Sequence, residues 1–282
     1  RFVSGGDPEH IPELTYEQFL DYHRRFYSPS NAYVYLDGDV DIDAVLSILD
    51  SEYLRDAEPG ERLALPPLQK PVKAQPQRVE FELPAEEDEH SRYRLAWGRV
   101  VGEIIDRERM TAMELLCTVL CGTNQSVLRR EMLSAGLGEE VTMMVWDGCA
   151  QPFVKLEVRN ISEDKLDAAS EKLREVLSRV AAEGVDRKEL EAAMANLEFQ
   201  LRERDYGYYP QGLGISFGVL DSWLRGGKPE AMVEVGGLFD SLRAKMDEGW
   251  FEELIRTVLL DNPHGCEVVM VPSHTVGDER RA

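Results

Sequence analysis

Val141-Thr142-Met143-Met144-Val145-Trp146, then Asp147-Gly148, then Phe153-Val154-Lys155-Leu156-Glu157-Val158 is the run that decides the fold. β-Branched and aromatic residues crowd both ends, and these side chains fit a pleated, half-buried surface. Asp-Gly between two such runs signals a hairpin. The run therefore predicts two antiparallel strands, 141–146 and 153–158, with Met143 to Trp146 as a core strand rather than a ligand-binding box. Downstream the period changes from two to 3.6. Leu166, Ala169, Leu173, Val176 and Val180 form one apolar stripe, and Leu190, Met194, Leu197 and Leu201 form another. These are two long amphipathic helices, the second capped by Asp186 with Glu189 three residues on. Further helices are predicted near 210–225, 230–247 and 249–260, and a last strand at 267–271.

Upstream, Val79-Glu80-Phe81-Glu82-Leu83 alternates as a strand with one wet face, and Tyr93, Leu95 and Trp97 alternate in a second. An apolar helix spans 106–121. Asn124 is placed to cap the next, which runs to about Ala135 and stops at Gly136-Leu137-Gly138. The order is β-β-α-α-β-β-α-α, more helices, then β. This is an α+β fold, a mostly antiparallel sheet backed by helices, and not the alternation of a doubly wound parallel sheet.

The first part of the chain is different. Thr15 and Gln18 form a capping box ahead of a helix carrying Phe19, Leu20, Tyr22, His23 and Phe26. It stops before Ser28-Pro29. Ala32–Leu36 reads as a strand, and a short helix follows from about Asp41 to Tyr53. Residues 56–77 hold Pro59, Pro66, Pro67, Pro71 and Pro76, the composition of a semi-extended linker. The expected layout is thus 1–55 as the end of one domain, 56–77 as linker, 78–276 as a whole domain, and 277–282 as the start of another linker. A helix, one strand and a short helix are too little to bury a core alone. Both 1–55 and the end of 78–276 run helix, Asn/Pro turn, strand, which fits duplicated domains or chance. The opening at Arg1-Phe2-Val3-Ser4-Gly5-Gly6-Asp7-Pro8 is loop chemistry and reads as the start of an excised piece.

Fifty-three acidic and 32 basic residues leave a net charge of −21 over 282 residues. That excludes a nucleic-acid partner, whose phosphates need a basic surface, and an anionic membrane. It is compatible with a basic ligand or with simple solubility. No apolar stretch approaches the roughly 20 residues that span a bilayer. Cys117, Cys121, Cys149 and Cys266 form no Cys-x-x-Cys pair and read as core thiols in a reducing compartment. A soluble protein of the cytoplasm, if bacterial, or of an organelle matrix, if eukaryotic, is expected.

Catalytic motifs are wanting. No two of His10, His23, His90, His264 and His274 share a helix turn, so neither His-Glu-x-x-His nor its inverse occurs. No residue of this chain is a candidate for catalysis or for holding a metal. His23 reads as a packing histidine and His264 as a turn residue bonded to backbone. Arg202, Arg204, Tyr206, Tyr208 and Tyr209 form a basic and aromatic patch near a helix end. It is a candidate peptide contact, because Arg and Tyr anchor partners well, or else the corner between two helices.

Several strings together carry a resemblance. Ser4-Gly5-Gly6-Asp7-Pro8, Ile11-Pro12-Glu13-Leu14-Thr15-Tyr16, Tyr27-Ser28-Pro29-Ser30-Asn31 and Gly38-Asp39 resemble the end of the first domain of presequence proteases. These are a branch of the insulinase-like, pitrilysin-type zinc metallopeptidases. Tyr208-Tyr209-Pro210-Gln211-Gly212-Leu213, Ser222-Trp223-Leu224, Lys228-Pro229 and Asp261-Asn262-Pro263-His264 resemble their second domain. The resemblance covers nearly the whole chain. It implies a pitrilysin-type (LuxS/MPP-like) metallohydrolase fold and a longer parent with four related domains around a chamber that degrades short unfolded peptides. It also implies a zinc site on an inverted His-x-x-Glu-His helix before Arg1, and assisting Arg and Tyr residues after Ala282. This chain would then be chamber wall, inactive alone, with the remaining domains of the same polypeptide as partners. Dimerisation through the truncated first domain is the further expectation. The alternatives are an inactive pitrilysin-type scaffold or peptide-binding subunit, and a stand-alone hydrolase resting on scattered carboxylates.

Overall fold

A computed structural model of the chain describes residues 5–71 and 76–281. Ser4 of the Ser4–Pro8 string, the opening Arg1-Phe2-Val3, residues 72–75 of the proline-rich stretch and Ala282 lie outside the described residues. The chain divides into two compact units, 1–67 and 68–282.

In the first unit, Pro12 opens a 3-10 turn, Ile11–Glu13. Helix α1 (Tyr16–Phe26) begins at the expected capping box: the Gln18 amide donates to Thr15 Oγ1 at 3.2 Å, and the Thr15 amide donates to Gln18 Oε1 at 2.8 Å. Asp41 Oδ1 accepts the Ala44 amide at 3.0 Å to start α2 (Ile42–Ile48), which runs on into a π-helical turn, Leu49–Leu54. Asn31 staples the unit by donating to the carbonyls of Phe26 (3.1 Å) and Glu61 (2.7 Å) and accepting the Leu63 amide (2.9 Å). The strand expected at 32–36 is not one; that segment has no regular secondary structure. A strand is defined by the backbone ladder to its neighbour, and 5–67 offers no second strand. No described residue of this unit is buried, and Phe19, Tyr22 and Tyr33 are 64%, 57% and 43% exposed.

The second unit contains one five-stranded sheet in the order β1-β5-β2-β4-β3. The strands are β1 (Gln77–Glu82), β2 (Tyr93–Val100), β3 (Glu140–Trp146), β4 (Phe153–Ile161) and β5 (Gly265–Ser273). All neighbours run antiparallel except β1 and β5, which are parallel. The helices are α3 (Arg107–Cys121), α4 (Val127–Ser134), α5 (Leu166–Glu183), α6 (Arg187–Glu203), α7 (Gln211–Trp223), α8 (Gly236–Asp247), α9 (Trp250–Leu254) and α10 (Val276–Arg281). Alternation sorts the sheet's faces. Leu95 and Trp97 on β2, Val141 and Met143 on β3, and Val154, Leu156 and Val158 on β4 join Leu116, Leu177, Phe239, Phe251 and Ile255 in a single core. Each fully buried side chain of this size contributes roughly 1.5–3 kcal/mol.

Three expectations need correction. Asn124 does not cap α4; Ser126 is its N-cap residue, and the Thr123 amide donates to Ser126 Oγ at 3.1 Å. The helix expected over 230–247 is broken, with a 3-10 turn at Pro229–Met232 and α8 beginning only at Gly236. Residues 276–281, expected mainly as linker, form the short helix α10.

Candidate functional site

A concavity of the second unit, about 570 Å³, is lined in part by Met143, Met144 and Val145 of β3. Strand β3 lies at the edge of the sheet with β4 as its one neighbour. Among the described residues no strand pairs with its other backbone edge, the position at which a further strand can add. One wall is α3. Asp106 accepts the Arg109 amide at 3.1 Å and starts that helix, and the helical period then turns Arg107, Met110, Thr111, Glu114, Cys117 and Thr118 to the cleft. The opposite wall is α7, where Gly214, Ile215 and Gly218 face in. A strap, residues 229–235, closes one side with Met232, Val233 and Val235.

Two arginines hold the strap. Arg107 Nη1 donates to the carbonyls of Ala231 and Glu234, the latter at 2.6 Å. Arg204 ends α6 in the left-handed region at φ 52° and donates Nη2 to the Val233 carbonyl at 3.4 Å. Tyr206 sits against Gly214, where an added Cβ would stand 2.2 Å from the ring. Glycine at 214 thus makes the notch that seats this aromatic. Met110, Met143, Met144 and Met232 give the walls their character, and unbranched thioethers repack around varied apolar groups.

The electrostatics of the cleft divide along its length. Glu114 opens to solvent, yet enclosure by the walls and then Asp147 raise its pKa. Asp221 is raised by burial and by Asp147, against the pull of Arg225. Burial lowers the pKa of Arg107, with Glu234 partly offsetting it. The Cys117 thiol is pushed far up by burial, and Cys121 to about 11. Neither is a thiolate at neutral pH, so neither is a nucleophile or a ready metal ligand.

Of the five residues proposed from sequence as peptide contacts, Arg204 and Tyr206 line the cleft. The others do not. Arg202 pairs with Glu198 at 2.7 Å, Tyr208 is fully exposed, and Tyr209 packs edge-on to Phe217 at 6.4 Å. The Met143–Trp146 stretch is not wholly core: Met143 is buried, but Met144 and Trp146 are 46% and 50% exposed, Trp146 stacking on Phe153 at 6.3 Å. Arg107 and Glu114 went unread because each is an ordinary charged residue on a helix until packing shows which face is covered.

The histidines are dispersed. His10 meets Asp7 at 3.1 Å, His23 stacks on Tyr27 at 4.7 Å, and His274 meets the Leu83 carbonyl and Glu89. Among the described residues no group of three His, Cys, Asp or Glu is arranged to hold a metal ion. A catalytic zinc needs about three converging protein ligands, and this donor set does not fit one. No helix among the described residues is long and apolar enough to cross a membrane.

With this fold and cleft in view, residues 13–197 match the sequence profile of the family described as Peptidase M16 inactive domain. The chain belongs to that family, among the pitrilysin- and insulinase-like metallopeptidases. It is similar to Presequence protease 1, chloroplastic/mitochondrial, of Arabidopsis thaliana, 31% identical over 95% of this chain and 26% of that protein. It is also similar to Protein HypA of Clostridium perfringens, 29% identical over 99% of this chain and 29% of that protein. The chain thus spans under a third of the length of these curated relatives. Among solved structures, a peptidase M16 inactive domain from Pseudomonas fluorescens shares the fold at TM-score 0.65 and 18% identity, over 96% of this chain and 61% of that one.

Proposed function

We propose that residues 68–282 are a non-catalytic wall of a peptidase chamber and that the cleft beside β3 holds a segment of unfolded peptide in extended form. The observation that carries this reading is an edge strand bordering a methionine-lined cleft. An extended peptide adds to such an edge by main-chain hydrogen bonds that read no sequence, while adjacent pockets sort its side chains. Adaptable methionine walls and nearby carboxylates suit short peptides carrying apolar and basic residues, as targeting presequences do.

In this reading the whole protein is a zinc metalloendopeptidase of the pitrilysin type, acting in the cytoplasm or an organelle matrix. Its zinc ligands and catalytic groups belong to other domains of the same polypeptide, and no residue of this chain is assigned a catalytic or metal-binding role. Residues 1–55 are the end of a first domain, 56–77 the linker, 78–276 the second domain and 277–282 the start of a hinge linker. The exposed apolar side chains of 1–55 support this layout, since the rest of a first domain, or a second copy of the chain, would cover them. Of the patch read from sequence, Arg204 and Tyr206 remain peptide contacts, with Arg202, Tyr208 and Tyr209 at its rim.

The test is binding of a fluorescein-labelled, unstructured basic peptide to the purified chain by anisotropy, with zinc content and peptide cleavage measured beside it. Saturable binding, weakened about tenfold or more by Met144→Arg, is expected, with no stoichiometric zinc and no cleavage. Absence of saturable binding, or an affinity indifferent to Met144→Arg, would overturn the reading.

A further inference from the structure

The arginines of this unit divide into two groups: Arg107, like Arg94, Arg109, Arg129, Arg130, Arg204 and Arg225, has no ion pair to a carboxylate among the described residues, and of these Arg107 and Arg204 line the cleft. Arg174, Arg179, Arg187, Arg202, Arg243 and Arg256 each meet a carboxylate. Among the described residues no carboxylate lies within ion-pair distance of Arg107, although this chain carries an excess of acid. Its recorded bonds run from Nη1 alone, to the carbonyls of Ala231 and Glu234. A guanidinium has five N–H donors in a fixed fork, so further donors remain for the cleft that Arg107 lines. A half-buried cation bonded only to carbonyls has lost water, and the charge of Glu234, outside ion-pair distance, offsets that only in part.

Seven residues further along the same cleft-facing side of α3 stands Glu114, with Asp147 beside it. Two helical turns place these groups about 10 Å apart. An extended peptide covers that span in roughly three residues. The cleft therefore has a cationic end and an anionic end at a spacing that a peptide strand can match.

We infer that Arg107 receives a carboxylate of the bound peptide, while Glu114 and Asp147 receive a Lys or Arg side chain about three residues away. This rests on the peptide reading of the cleft and adds to it a charge pattern and a polarity. The carboxylate has two possible sources, the peptide's C-terminus or an internal Asp or Glu. A planar fork suits either, because it can bond both carboxylate oxygens.

The experiment uses the 282-residue chain and short labelled peptides read by anisotropy. The parent peptide ends in a free carboxylate, with Lys about three residues before the end. Its variants are the C-terminal amide, the amide with an internal Glu at the corresponding position, and the parent with Lys replaced by Gln. In the unsubstituted chain, amidation is expected to weaken binding about tenfold, the loss of one charge-assisted contact. The internal Glu restoring affinity identifies a side-chain carboxylate as sufficient; failure to restore it identifies the C-terminus. With Arg107→Gln the acid and the amide should bind alike, and with Glu114→Gln the dependence on Lys should shrink.

The inference is overturned if the amide binds the unsubstituted chain as tightly as the acid while both bind saturably, an outcome that leaves the cleft itself intact. An amide effect that persists in a folded Arg107→Gln chain overturns it equally. Should Arg107→Gln unfold, the acid and amide comparison in the unsubstituted chain remains decisive. If none of the peptides binds, the peptide reading falls and this inference with it.

Discussion

Glu157 is 1% exposed, yet it lies on the sheet face opposite the core, one residue from inward-facing Leu156 and Val158. It accepts hydrogen bonds from Lys155 Nζ and Arg159 Nη2, both at 2.9 Å. Burial pushes its pKa up, but the bonds from Arg159 and Lys155 outweigh that and hold it below the ordinary carboxylate value. Removing one partner of a fully buried ion pair costs about 3–5 kcal/mol, because the other charge is stranded. Here the stranded groups would be Lys155 and Arg159, 26% and 37% exposed, and both can turn to water. Glu157→Ala should therefore cost less, about 2 kcal/mol. In a unit of this size that is a fall in melting temperature of roughly 4–8 °C. Because the folded pKa is depressed, the stabilisation is present above the unfolded value and is lost as pH falls through the folded one. Scanning calorimetry of the parent and Glu157→Gln chains should show a gap at pH 7 that closes below about pH 4. A gap that stays constant down to pH 3, or a Glu157→Ala chain as stable as the parent, would refute the argument that this ion triad stabilises the sheet.

Gly138 has φ +105°, and an added Cβ would lie 2.5 Å from Val158 Cγ1 and 3.1 Å from the Arg159 carbonyl. Gly138→Ala should thus cost about 2–4 kcal/mol from left-handed strain and overpacking combined, read as a lower urea midpoint; an unchanged midpoint would contradict it. No described residue before Leu83 is buried, so a chain starting at residue 68 should keep the melting temperature of the full chain within a few degrees. Failure of that shorter chain to fold cooperatively would show that 1–67 supplies part of the core's stability.

What was legible in the sequence, and what was not, follows from the range of the forces involved. The strands of the second unit and the helices α3, α5, α6 and α7 were readable because burial is periodic: Val154, Leu156 and Val158 repeat every second residue, Leu166, Ala169 and Leu173 every third or fourth. The Thr15–Gln18 and Asp186 caps were readable because they close within three residues. Ala32–Leu36 misled because its composition reports a preference for extended backbone, whereas a strand requires a neighbour. The break before α8 was missed because Leu238, Phe239 and Leu242 continue an apolar pattern that says nothing of where Arg107 holds the preceding strap. The cleft was least legible of all. Its walls come from residues 104–122, 143–147, 201–206 and 214–235, and only tertiary packing brings these together. Its most informative residue, Arg107, opens α3 in Arg107-Glu108-Arg109-Met110, where three charges look alike. Folding separates them: Glu108 is paired with Lys245, Arg109 bonds the Val101 carbonyl at 2.5 Å, and Arg107 bonds the strap carbonyls of Ala231 and Glu234 while lining the cleft. A candidate binding group is recognisable here by a charge that folding places on a cleft without an ion pair, and that is defined only once all the other partners have been assigned.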